Sequence, residues 1–150
     1  MDNLTIDLAT LVGRFIHHCG ALEHLTNNAI KNLSSDSILA TEAIKSSFSK
    51  RIELLSRLLR DRSNLNNDDI DYLYNELNAV RKKRNIVAHN PIAFKDTNQT
   101  SSEVILIVRH KPEGTEDPKE MSCAEVACLV EKTSKLILRF VELIPDATKA

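Results

Sequence analysis

Apolar residues recur every three or four positions along most of this chain, and that period admits few architectures. Leu8, Leu11, Phe15, Cys19, Leu22, Leu25, Ala29 and Leu33 hold to it through the segment from about Leu4 to Leu33. Successive helical residues are turned by about 100°, so these side chains share one face. Val12, Ile16 and Ile30 widen the stripe, and Ser34-Ser35-Asp36-Ser37 supplies turn and cap residues after it.

The same period predicts a second helix from about Ile38 to Arg60, with Ile44, Phe48, Ile52, Leu55 and Leu59 on its stripe. A third is expected from about Asp69 to His89, capped by Asn67 or Asp68, with Ile70, Leu73, Leu77, Val80 and Val87 on one face. Pro91 stops it, because the residue before a proline resists helical geometry. Glu103 to Arg109 is short, apolar and rich in β-branched residues, so it reads as a strand, one arm of a hairpin with Ile92 to Lys95. The Lys111 to Glu120 connection is expected to be exposed and mobile. Ser122-Cys123-Ala124-Glu125 matches a capping box, and Val126 through Ile144 continue in helical phase until Pro145. The expected fold is all-α: a four- to five-helix up-down bundle, with a short β insertion before the last helix.

Composition narrows the functional classes. A chain of 150 residues suits one domain, spanning 1–150. Its net charge of −1 gives no global attraction to nucleic acid, so any such contact has to come from a local patch. Three widely spaced cysteines, Cys19, Cys123 and Cys128, indicate no disulfide framework. The acidic N-terminus lacks an apolar signal region and no run reaches membrane-spanning length, so a cytoplasmic protein without membrane contact is expected.

The local patch is Arg81-Lys82-Lys83-Arg84-Asn85-Ile86-Val87-Ala88-His89. On the third helix Arg84 falls in the middle of the apolar direction, and Arg81 lies to one side of it. A guanidinium there is costly unless it is paired, at a crevice or at an interface. Asn85 and His89 lie further round, one turn apart. Arg84 and His89 are about 140° apart on an ideal helix, so they share a site only across a wide crevice or through a symmetric partner helix. Arginine holds and stabilises a phosphate, and histidine titrates near neutrality and transfers protons. A plainer reading is that basic residues in a last helical turn favour the helix dipole and that His89 caps free carbonyls. Arg84 is the residue which that reading explains worst.

The segment Arg84-Asn85-Ile86-Val87-Ala88-His89 resembles the signature of the HEPN superfamily (higher eukaryotes and prokaryotes nucleotide-binding domains). That signature is an arginine, usually followed by a polar residue, then a histidine four to six positions after the arginine, near a helix end in a helical bundle. The resemblance implies a metal-independent endoribonuclease of a toxin–antitoxin or defence system, needing no cofactor. The implied partners are a second copy in a homodimer, an RNA substrate and a cognate antitoxin or regulatory protein. Arg84, Asn85 and His89 would be its catalytic set, with Arg84 stabilising the transition-state phosphate and His89 transferring protons. Phe48-Ser49-Lys50-Arg51-Ile52-Glu53-Leu54-Leu55, taken with Arg81 to His89, also resembles the mannitol repressor family, which implies a non-catalytic regulator or interaction module. The short strand insert and the lysine-rich approach to Arg84 depart from that second family.

Other sets are weaker. Arg81, Lys82, Lys50 and Arg51 are candidates for RNA-phosphate contact, and Arg57, Arg60 and Arg62 extend the charge on and beyond the second helix, although a solvated polar face is the slightly preferred account of that charge. His17, His18, Cys19 and His24 lack an acidic partner at a metal-ligand spacing, so no metal site is expected. Asp68, Asp69, Asp71 and Glu76 are explained by capping at a helix start. With no tryptophan and two tyrosines, a multi-aromatic base platform is not expected. Gly13 and Gly20, seven apart, suggest close packing of the first helix against a neighbour, or a bend at Gly20.

Overall fold

Helix α1 runs unbroken from Asn3 to Leu33 in the computed structural model, the length its apolar period demands. The structure describes residues 3–89, 92–98, 101–108 and 119–149, and the side chains of 8–89 and 120–149. Phe15, Leu22, Ala29 and Ile30 on α1 are wholly buried. Each large aliphatic or aromatic side chain so buried contributes roughly 1.5–3 kcal/mol. Gly13 and Gly20 are exposed, and a Cβ at either would meet nothing within 4 Å, so neither glycine serves close packing.

The segment expected as one second helix is two. Helix α2 spans Ser37–Ile44 and α3 spans Phe48–Arg62. Asp36 caps α2, its Oδ1 accepting from the amides of Ile38 and Leu39 at 2.9 and 3.0 Å. The Ser46 hydroxyl donates to the Ala43 carbonyl at 2.6 Å, and the Ser47 hydroxyl accepts from the Lys50 amide at 3.4 Å. Two adjacent serines thus end one helix and begin another, because short hydroxyl side chains compete with the backbone ladder. The four-residue spacing of Ile44 and Phe48 steps across this break and conceals it.

Helix α4 spans Asn67–His89, and Asn66 caps it by accepting from the Asp69 amide at 2.8 Å. Strands β1 (Ile92–Asn98), β2 (Ser101–Val108) and β3 (Lys119–Ser122) form an antiparallel sheet in that order. The hairpin pairs Ile92 with Leu106 and Lys95 with Glu103, as expected from the two apolar arms. Strand β3 was not expected. It pairs Leu106 with Met121 and satisfies the second edge of β2 just before the last helix begins. The expectation of mobility for Lys111 to Glu120 falls mostly outside the described residues.

Helix α5 (Cys123–Leu143) starts with the capping box its sequence announces. The Ser122 hydroxyl accepts from the Glu125 amide at 3.2 Å, and the Glu125 carboxylate accepts from the Ser122 amide at 2.7 Å. A 3-10 turn, Pro145–Thr148, follows, and the Asn28 and Asn32 amides of α1 donate to the Ala147 and Asp146 carbonyls at 3.1 and 2.7 Å. The result is an all-α bundle of five helices with a short β insertion before the last. Helix α1 packs against α3, α4, α5 and the final turn, so it is the element that every wall of the bundle shares. Among the described residues no helix is long and apolar enough to cross a membrane.

Candidate functional site

The C-terminal half of α4 forms one wall of a cleft of about 320 Å³. Val80, Arg81, Arg84 and Asn85 line it, since positions one, four and five residues apart fall on one helical face. Cys19 and Glu23, one turn apart on α1, form the facing wall. Ser47, Phe48 and Ser49 close the end at the start of α3. The first turn of α3 carries no acidic residue, so the positive end of its dipole, capped by the Ser47 hydroxyl, borders the cleft.

Arg84 is half-buried between Val80 and Val87, both buried, and its apolar setting is relieved by opening onto this cleft. Among the described residues it makes no hydrogen bond and no ion pair. Arg81 is also half-buried, and its Nε donates to the Asn78 side-chain oxygen at 3.4 Å. Cys19 is 3% exposed, and burial pushes its thiol up to about 12, against the opposing pull of the Arg84 charge. Glu23 adds to the rise.

Arg51 is placed differently from the other candidates. It is buried, and its terminal nitrogens donate to Glu23 at 3.1 Å and to the Asn27 side-chain oxygen at 2.6 Å. Its guanidinium lies 5.3 Å from the centroid of the Phe48 ring, while its Nε is buried without a partner. Arg51 therefore clamps α3 to α1 and fixes Phe48 and Glu23, two walls of the cleft, without facing solvent itself.

Of the remaining candidates, Asn85 alone converges here. His89 is exposed at the end of α4 and does not line the cleft, in keeping with its five-residue offset from Arg84. Asn85 does line it. Lys82 and Lys50 are exposed and do not line it. Further along α3, Arg57 pairs with Glu53, Arg60 with Asp71, and Arg62 donates to the Leu33 carbonyl at 3.1 Å. The first pair lies within α3, the other two contacts tie α3 to α4 and α1, and together they make a polar face, the plainer of the two readings of that charge.

Two of the three histidines of α1 make side-chain contacts within the bundle. His18 Nδ1 lies 2.9 Å from the Thr133 hydroxyl, which is also within hydrogen-bond reach of the carbonyls of Leu129 and Val130. His24 Nε2 is 3.2 Å from the Asn28 amide. Asp69 accepts from Arg139 at 2.8 Å and ties α4 to α5.

Sequence reasoning missed Glu23 and the serines at 47 and 49 as cleft residues. Glu23 follows Cys19 by one turn, at the border of the apolar stripe, and that position was its only visible signal. Comparison with known proteins found no matching family model, no similar curated sequence and no similar solved structure.

Proposed function

We propose that this chain is a metal-independent endoribonuclease of a toxin–antitoxin or defence system, working in the cytoplasm as a homodimer. The observation that carries the reading is Arg84: a half-buried guanidinium, without an ion pair among the described residues, facing a cleft beside Arg81 and Asn85. Such a group suits a phosphate, whose planar oxygen pairs match its donor fork. In the proposed reaction the ribose 2′-hydroxyl attacks the adjacent phosphorus and the 5′-oxygen leaves. Arg84 stabilises charge developing on the phosphoryl oxygens, and His89 moves the proton. Because His89 lies off the cleft of its own chain, the dimer is part of the proposal: paired α4 ends bring the two motifs to a shared site.

The position of His89 also favours a second reading, a non-catalytic regulator or interaction module resembling the mannitol repressor family, in which Arg84 binds an anion and nothing is cleaved. The deciding experiment is incubation of a mixed RNA panel in chelator with wild type, Arg84→Ala and His89→Ala at matched dimer content. The expected outcome is cleavage that leaves cyclic phosphate ends, reduced about 10²–10³-fold in Arg84→Ala, the usual loss when a transition-state charge loses its donor, and lost as well in His89→Ala. Equal cleavage by all three proteins overturns the site. An intact panel with wild type moves the assignment to the regulator.

A further inference from the structure

A carboxylate in a phosphate-binding cleft needs a reason, because it repels the ligand that its neighbours attract. Glu23 is such a group. It lines the same cleft as Arg81 and Arg84, and its side chain keeps 28% of its exposure. The ion pair to Arg51 engages Oε2 at 3.1 Å. An ionised carboxylate has about four acceptor sites on two oxygens, so this single contact leaves Glu23 with spare acceptor capacity in the cleft that it lines. Arg51 meanwhile fixes the carboxylate in place and covers one face of Phe48, whose ring borders the same space. Cationic, acceptor and aromatic surfaces therefore meet in one recess, and its volume of about 320 Å³ suits a single small ligand.

We infer that Glu23 is a specificity-determining residue that selects guanine in an RNA nucleotide held by Arg81 and Arg84. The inference rests on the ribonuclease reading only in taking RNA as the ligand. The chemistry singles out one base. Guanine presents two adjacent donors, N1–H and the N2 amine, on its Watson–Crick edge. Adenine and cytosine each place an acceptor ring nitrogen beside their amine, and uracil flanks its single N–H with two carbonyls. A carboxylate only accepts, so guanine alone offers it a paired contact without an opposing lone pair. The Phe48 edge gives the base an apolar surface, and the arginines take the phosphate.

The test is a titration of the full chain with the four nucleoside 5′-monophosphates, inosine 5′-monophosphate and inorganic phosphate, followed by NMR. Guanosine monophosphate should bind about tenfold or more tighter than the adenosine, cytidine and uridine compounds, within the range for a paired base contact. Inosine monophosphate, which lacks the N2 amine, should fall between. Glu23→Gln keeps an oxygen for Arg51 but presents a donor to the cleft. It should erase the guanine preference while tightening inorganic phosphate, two opposite changes that a merely structural role does not produce. Equal affinity for all four nucleotides overturns the inference, as does uniform weakening in Glu23→Gln. If that variant fails to fold, equal affinity for the guanosine and inosine compounds in wild type overturns it instead. Guanine preference with an uncut RNA panel supports Glu23 as the selector and overturns the nuclease. RNA cleavage without guanine bias does the reverse.

Discussion

Arg51 on α3 and Arg84 on α4 both sit beside buried aliphatic residues, yet the fold treats them differently. Arg51 is enclosed between α3 and α1, with its charge matched by Glu23 and its terminal nitrogens donating to Glu23 and Asn27. Arg84 opens onto the cleft without an ion pair among the described residues. The difference follows from what faces each helix. The α1 surface opposite Arg51 carries a carboxylate and an amide oxygen, and these offset the cost of burying a guanidinium. Opposite Arg84 the same helix offers Cys19, a buried thiol that stays protonated near neutrality, and Glu23, whose carboxylate is already paired with Arg51. One arginine holds the cleft together and the other is left available to a ligand.

The largest expected effect that tests this contrast is on stability. Arg51→Ala should lower the unfolding free energy by about 3 kcal/mol, because it leaves Glu23 partly buried without its partner. Urea denaturation measures it, and a loss below about 1 kcal/mol would place Arg51 with ordinary surface ion pairs. Arg51→Lys sharpens the point. It keeps the charge but loses the fork that reaches Glu23 and Asn27 together, so a loss of about 1.5 kcal/mol is expected, the value of one hydrogen bond to a charged group.

A third effect concerns Cys19. Burial raises the folded thiol from 9.0 to about 12, so its contribution to stability is whole below pH 9 and is lost as pH climbs through the folded value. Between pH 9 and 11 wild type should therefore lose more stability than Cys19→Ala, as read from denaturation midpoints. At pH 8 in the native protein, iodoacetamide should label the exposed Cys128 and spare Cys19. Rapid labelling of Cys19 would mean that the cleft wall opens. The smallest effect is for Arg84→Ala, which should change the unfolding free energy by no more than about 0.5 kcal/mol, as expected for a side chain outside any network. A large loss of stability there would mean that Arg84 is structural, and the contrast with Arg51 would collapse.

Much of the bundle was legible before any coordinates. The periods of α1, α4 and α5 report which faces are buried, because a helix with one apolar stripe has one way to lose contact with water. The capping box at Ser122 located the start of α5, and the β-branched run located the hairpin. The α2–α3 break stayed hidden because Ile44 and Phe48 keep helical spacing across the serines that end one helix and cap the next. Strand β3 was missed because Lys119 to Ser122 carries no alternation of its own and gains strand geometry by pairing with β2.

The candidate site divides in the same way. Sequence by itself determined that Arg84 lies on an apolar face with Arg81 and Asn85 nearby, because helical geometry is local and fixes relative angle. It also set His89 about 140° away from Arg84, and no packing of a regular helix removes that offset. Only the tertiary structure decided that Arg84 meets a cleft, that Glu23 and Phe48 share it, and that Arg51 is enclosed as a clamp. Those outcomes depend on which face of α1 meets α3 and α4 across separations of 24 residues and more, as between Asn27 and Arg51. Long-range pairings of this kind have no period to read. They are set by the packing of whole helices, where the burial of many apolar side chains outweighs the preference of any single charge.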